Sequence, residues 1–158
     1  MVDKSEVATR ALEALLQFNR GTAHVTMGGG KTMIGLRYIE SLISKNRGGI
    51  NILIVAPKRS IFQSWIDDMT KFNLMHLMPY ISFSTYLSLN KQSLDYDIVI
   101  LDEVHNLKYS HREWISQFKG RILGLTGTLP RVRSEKRDMI DAYCPVRFEY
   151  STDEAIED

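Results

Sequence analysis

Three glycines followed by a lysine and a threonine, Gly28-Gly29-Gly30-Lys31-Thr32, are the residues of this chain best suited to chemistry. Glycine lets the backbone turn sharply and approach an anion closely. Successive N–H groups in such a loop make an anion-binding concavity, and the N-terminus of a following helix adds the positive end of its dipole. Met27 to Thr32, MGGGKT, therefore reads as a phosphate-binding loop. Lys31 would reach the outer phosphates of a nucleotide, and the Thr32 hydroxyl would ligate Mg²⁺. A flexible glycine loop beside a surface lysine is the plainer alternative. The long form of the motif, G-x-x-x-x-G-K-[ST], would put its first glycine where Val25 stands. The shorter G-x-G-K-T is satisfied by Gly28, Gly30, Lys31 and Thr32.

Two adjacent acids form the second constellation. Asp102 and Glu103 follow the apolar run Ile98-Val99-Ile100-Leu101. A carboxylate at a strand end is placed to hold Mg²⁺, directly or through water. The next carboxylate can orient and deprotonate the water that attacks a terminal phosphate. The same pair could instead serve a following helix by favouring its dipole. Paired with a phosphate loop upstream, the catalytic reading is the stronger one.

The elements that must position these groups alternate along the chain. Ser5 to Gln17 reads as a helix with Ser5 as its N-cap. Thr22 to Thr26 is a short strand feeding the glycine loop, and a helix runs from the loop to about Lys45. Ile50 to Ala56, INILIVA, is apolar almost throughout, which suits a strand buried on both faces of a parallel sheet. A helix from Ser60 to Phe72 follows, and its stripe places Trp65 and Phe72 in the core. Tyr80 to Phe83, Asp97 to Leu101, Arg121 to Leu125 and Val146 to Tyr150 read as further strands. His111 to Phe118 and Ser134 to Tyr143 read as helices, the second a charged surface one. Such alternation predicts an α/β fold, a three-layer parallel sheet with helices on both faces. Ligands bind beyond the carboxyl ends of strands in such sheets, and every polar motif here follows a predicted strand.

At this point the chain resembles the first motor domain of a superfamily 2 helicase, a RecA-like phosphate-loop NTPase, and is especially similar to Swi/Snf-type translocases. MGGGKT resembles motif I, and IVAPKRSIFQSW at Ile54 to Trp65 resembles motif Ia. SFSTYLSL at Ser82 to Leu89 resembles the segment with the Thr-Tyr of motif Ib. DEVHNLK at Asp102 to Lys108 is similar to a DEAH-type motif II, and LTGTLP at Leu125 to Pro130 to motif III. The resemblance implies that Gly28, Gly29, Gly30 and Lys31 hold the phosphates of ATP, with Met27 opening the loop. Thr32 and Asp102 hold Mg²⁺, and Glu103 activates water. His105 connects this site to Thr126, Gly127 and Thr128, so that hydrolysis is felt at the nucleic-acid surface. Lys58, Arg59, Thr85 and Tyr86 lie toward a nucleic-acid backbone, DNA rather than RNA, whose phosphate contacts give affinity without sequence choice. Arg131, Arg133, Lys136 and Arg137 read better as a solvated face than as a phosphate patch.

The departures from the family pattern are informative. The glutamine that often reads adenine has no counterpart at the matching place, Ala8 or Thr9, and Leu129 stands before the proline of motif III. Such motors use a second RecA-like domain, in cis or in trans, which supplies arginines to the transferring phosphate. On this reading residues 1–150 are the first domain and the acidic residues 151–158 a tail or connector, and the isolated domain hydrolyses ATP weakly or not at all. A non-catalytic nucleotide- or DNA-binding module acting on a partner protein is the alternative.

Composition supports these classes without choosing between them. The 158 residues are 44% hydrophobic and 25% charged, with a net charge of +1, ordinary for a globular domain. One cysteine, Cys144, excludes an internal disulfide and reads as a small buried apolar residue in a reducing compartment. The N-terminus lacks a signal-peptide core and no apolar run is long enough to span a bilayer, so the expected place is the cytoplasm or the nucleoid, with no membrane partner.

Overall fold

A computed structural model describes residues 3–26 and 30–151. Met27, Gly28 and Gly29 of the glycine loop lie outside the described residues, as do residues 152–158. Six strands form one all-parallel sheet: β1 (Arg20–Val25), β2 (Ile52–Ala56), β3 (Ile81–Thr85), β4 (Ile98–Asp102), β5 (Arg121–Thr126) and β6 (Val146–Tyr150), in the order β3-β2-β4-β5-β1-β6. Among the described residues five α-helices flank the sheet: α1 (Lys4–Leu15), which precedes β1, and α2 (Gly30–Lys45), α3 (Arg59–Lys71), α4 (Arg112–Gln117) and α5 (Glu135–Tyr143) between strands.

The continuous apolar runs explain the three layers. Every residue of β2 and β4 is buried, so neither face of these central strands meets water. Ile52, Ile54, Ile98, Ile100, Leu123 and Leu125 pack with α1, α2 and α3 in one core. Leu53, Val55, Val99, Leu101 and Ile122 pack with α4 and α5 in the other. Side chains alternate across each strand because the pleat has period two.

The differences from expectation lie at element ends. The cap of α1 is Asp3, whose carboxylate accepts from the Glu6 N–H at 2.8 Å, and not Ser5. Carboxylates and hydroxyls compete equally well for this position, and Asp3 sits where an N–H is unsatisfied. β1 starts at Arg20, two residues early, because Arg20 and Gly21 pair with Ile122 and Leu123 of β5. Tyr80 closes a 3₁₀ turn, Met75–Tyr80, so β3 begins at Ile81. α4 begins only after a 3₁₀ turn at Tyr109–His111. α5 is not only a surface helix, since Met139 and Ile140 are buried in the second core.

Candidate active site

The four central strands β2, β4, β5 and β1 end side by side, and the motif residues hang from those ends. In the register of β4 and β5, Asp102 lies beside Leu125, so Asp102-Glu103 and Thr126-Gly127-Thr128 leave the sheet as neighbours. In the register of β5 and β1, Thr126 lies beside His24, one residue before Val25, from which the chain enters the glycine loop.

Glu103 stands between Lys31 and His105. Its Oε1 is 3.6 Å from Lys31 Nζ, and its Oε2 is 3.7 Å from His105 Nδ1. The Lys31 and Glu103 side chains keep 23% and 31% exposure, so the pair is solvent-screened and breakable. The Lys31 ammonium also lies over Gly127, where an added Cβ would be 3.3 Å from Nζ. Glu103 has φ 53° and ψ 57°, left-handed backbone that a non-glycine residue adopts at a cost. Asn106 holds it there: its backbone N–H and its side-chain Nδ2 both donate to the Glu103 carbonyl, at 3.0 and 2.9 Å.

His105 contacts the turn after β5 directly. Its Nδ1 is 3.1 Å from Thr126 Oγ1. The single hydroxyl proton of the buried Thr126 goes to the Thr128 carbonyl at 2.8 Å, and the same oxygen accepts from the Thr128 N–H at 3.0 Å. Thr126 therefore receives the third bond as an acceptor, and His105 Nδ1 is the protonated nitrogen of the ring. Leu129 packs against the second core and anchors this turn from its far side.

Asp102 is buried, at 7% exposure. Trp65 Nε1 donates to its Oδ2 at 2.9 Å, and the Tyr86 hydroxyl donates to its main-chain carbonyl at 2.7 Å. Burial raises the Asp102 carboxyl above the usual carboxylate range, and the neighbouring Glu103 charge adds to this. The Trp65 bond and the Lys31 charge oppose it. A carboxylate held at such a cost is relieved by a cation. Among the described residues no group of three or more His, Cys, Asp or Glu is placed to hold a metal. Mg²⁺ takes few protein ligands and keeps water and phosphate, so the buried Asp102 carboxylate at the end of β4 suits it.

The expected nucleic-acid residues separate into two kinds. Lys58 and Arg59 are exposed at the start of α3. Thr85 is half-buried, and its hydroxyl accepts from the Ser88 N–H as the cap of a 3₁₀ turn, Tyr86–Lys91. Tyr86 corrects the expectation: its ring is buried at 6% exposure against His111, and its hydroxyl is committed to Asp102. Burial pushes the phenol well above its ordinary range, so it stays protonated and supports the acid from behind. Sequence reasoning missed Trp65, Tyr86 and Asn106 as supports of the two acids. The signal for the aromatics was available, since a buried indole N–H or phenol requires a partner. Cys144 is buried, and burial pushes its thiol up to about 11, as suits a core residue. Arg137 donates to Asp141 and to the Pro130 carbonyl, while Arg131, Arg133 and Lys136 are exposed.

Comparison with known proteins bears on the fold. Residues 3–78 match the family model described as Type III restriction enzyme, res subunit. No curated protein matches the sequence. Among solved structures the chain is similar to the UvsW helicase from bacteriophage T4, at 15% identity and TM-score 0.74 over 94% of this chain and 61% of that one. It is similar to the Sulfolobus solfataricus SWI2/SNF2 ATPase core in complex with dsDNA, at 18% identity and TM-score 0.56 over 79% of this chain and 30% of that one. It is also similar to the ATP-dependent Type ISP restriction-modification enzyme LlaBIII bound to DNA, at 16% identity and TM-score 0.65 over 99% of this chain and 16% of that one. The chain thus spans less than two thirds of each of these proteins. These likenesses show the fold: an all-parallel sheet with helices on both faces, as in the RecA-like domain of the UvsW helicase. No helix among the described residues is long and apolar enough to cross a membrane.

Proposed function

We propose that this chain is the ATP-binding first motor domain of a nucleic-acid translocase, and that it couples Mg-ATP hydrolysis to movement on DNA together with a second RecA-like domain. One observation carries the reading: Lys31, Glu103, His105 and Thr126 form an unbroken chain of contacts, at 3.6, 3.7 and 3.1 Å, across one rim of the sheet. On this reading residues 1–150 are the domain and the acidic residues 151–158 a tail or the start of a connector.

Gly28, Gly29, Gly30 and Lys31 hold the phosphates, and Thr32 and Asp102 hold the cation. Bound Mg²⁺ would neutralise charge on the phosphates. Lys31 exchanges Glu103 for phosphate, and the exchange frees the Glu103 carboxylate to take a proton from the attacking water. His105 senses that change, because its Nδ1–H lies within reach of Glu103 as well as Thr126. The Thr126–Thr128 turn carries the change away from the nucleotide. Lys58 and Arg59 are the exposed cations suited to a DNA backbone. Two similar structures hold DNA, one of them duplex, which supports DNA as the track. In this proposal the second domain supplies an arginine to the transferring phosphate, so the first domain assayed by itself is expected to be slow.

The test is titration calorimetry of ADP and ATP with and without Mg²⁺. The expected result is binding that depends on Mg²⁺ and is lost in Lys31→Ala. A well-folded chain that binds neither nucleotide would sink the proposal.

A further inference from the structure

Trp65 sits in the apolar stripe of α3 and is fully buried. Its ring spans the two elements that carry the site. On one side it covers α2, the helix that starts with Gly30-Lys31-Thr32, at Gly35: an added Cβ there would be 2.5 Å from Cη2 and 3.0 Å from Cζ3. On the other side Nε1 donates to Asp102 Oδ2 at the end of β4, at 2.9 Å. Indole is a donor only and carries no charge. It therefore fixes one carboxylate oxygen without neutralising it.

We propose that Trp65 is a positioning residue for the magnesium site, with its indole setting both the rotamer of Asp102 and the separation between that carboxylate and the helix bearing Thr32. This rests on the reading of Asp102 as the magnesium carboxylate. The residue touches neither nucleotide nor cation; it acts through Asp102. A side chain without the N–H leaves Oδ2 free to turn, so the cation loses a preset ligand while the phosphate loop keeps Lys31. The loss should fall on Mg²⁺-dependent binding and spare Mg²⁺-independent binding.

The test measures ADP affinity of the full chain by calorimetry in Mg²⁺ and in EDTA. Three proteins are compared: the parent, Trp65→Phe, and a chain with 3-benzothienylalanine at position 65, which keeps the indole shape and lacks the N–H. The expected result is EDTA affinity within about twofold of the parent and a Mg²⁺ enhancement reduced roughly tenfold in both variants, the range of a hydrogen bond to a charged group. The isostere guards against a folding defect in Trp65→Phe. An isostere with the full Mg²⁺ enhancement would overturn the positioning role. Equal loss in Mg²⁺ and EDTA would also overturn it, because a general packing defect has that signature. A parent whose ADP affinity ignores Mg²⁺ would overturn the underlying reading of Asp102, and the positioning role with it.

Discussion

Gly35→Ala tests how tightly the helix behind the phosphate loop is held against α3. Two opposing effects set the sign. Alanine in place of glycine inside a helix gains roughly 1 kcal/mol. Overpacking a filled core costs about 1–3 kcal/mol. The new methyl would lie 2.5 Å from Trp65 Cη2 and 3.3 Å from Leu125 Cδ1. Neither neighbour can give freely: both are buried, and the indole is tied to Asp102. The steric term should win, for a net loss of about 1 kcal/mol. Urea unfolding followed by circular dichroism would read this as a lower midpoint at unchanged slope. The same substitution in a Trp65→Phe background meets no Cη2. There only the milder contact with Leu125 opposes the helix-propensity gain, and Gly35→Ala should be neutral or stabilise by less than about 1 kcal/mol. The reasoning is refuted if Gly35→Ala has the same effect in both backgrounds, or if it stabilises the parent.

Two further outcomes follow from the geometry around the acids. Asn106→Ala removes the side-chain bond to the Glu103 carbonyl but not the backbone one, so unfolding stability should drop by about 1 kcal/mol; an unchanged urea midpoint would contradict the role given to Asn106. His111 is buried, its Nδ1 accepting from the Lys108 N–H and its Nε2 donating to the Tyr86 carbonyl, and burial lowers it from the ordinary 6.5. Because the folded value is the depressed one, the unfolded chain takes the proton first. Stability should be complete above the ordinary value and fall as pH drops through it, and this part of the pH dependence should vanish in His111→Gln. Unfolding midpoints compared at about pH 7.5 and about pH 5.5 would check it, with a gain on acidification the contrary result.

The fold was legible because its signal is dense. INILIVA and DIVIL admit few readings other than strands buried on both faces, and each hands the chain to a polar motif. The strand end marked Asp102 and Glu103 as candidates, whereas His105 and Thr126 entered through the resemblance of their segments to motifs II and III. Trp65, Tyr86 and Asn106 were not visible, because their roles depend on what lies across the sheet. In sequence the indole of Trp65 is one more member of a helical stripe. Only the packing of α3 against β2 and β3, beside β4, aims its N–H at Asp102. Tyr86 was misplaced because a tyrosine after a strand fits an exposed loop as well as a buried 3₁₀ turn. Here Leu89 and Tyr86 fold back together into the second core.

The strand order has a consequence for how the domain is made. β1 is an early strand in the chain, yet its partners in the sheet are β5 and β6: Arg20 pairs with Ile122, and Val25 with Tyr150. β2, β3 and β4 need no such distant help, because β2 pairs with both of the others. Local pairings form sooner than those that close long loops. During synthesis the middle of the sheet can therefore assemble while the N-terminal segment waits for strands that have not yet left the ribosome. β1, which leads into the glycine-rich segment, is thus the first strand to be translated and among the last to find both of its neighbours.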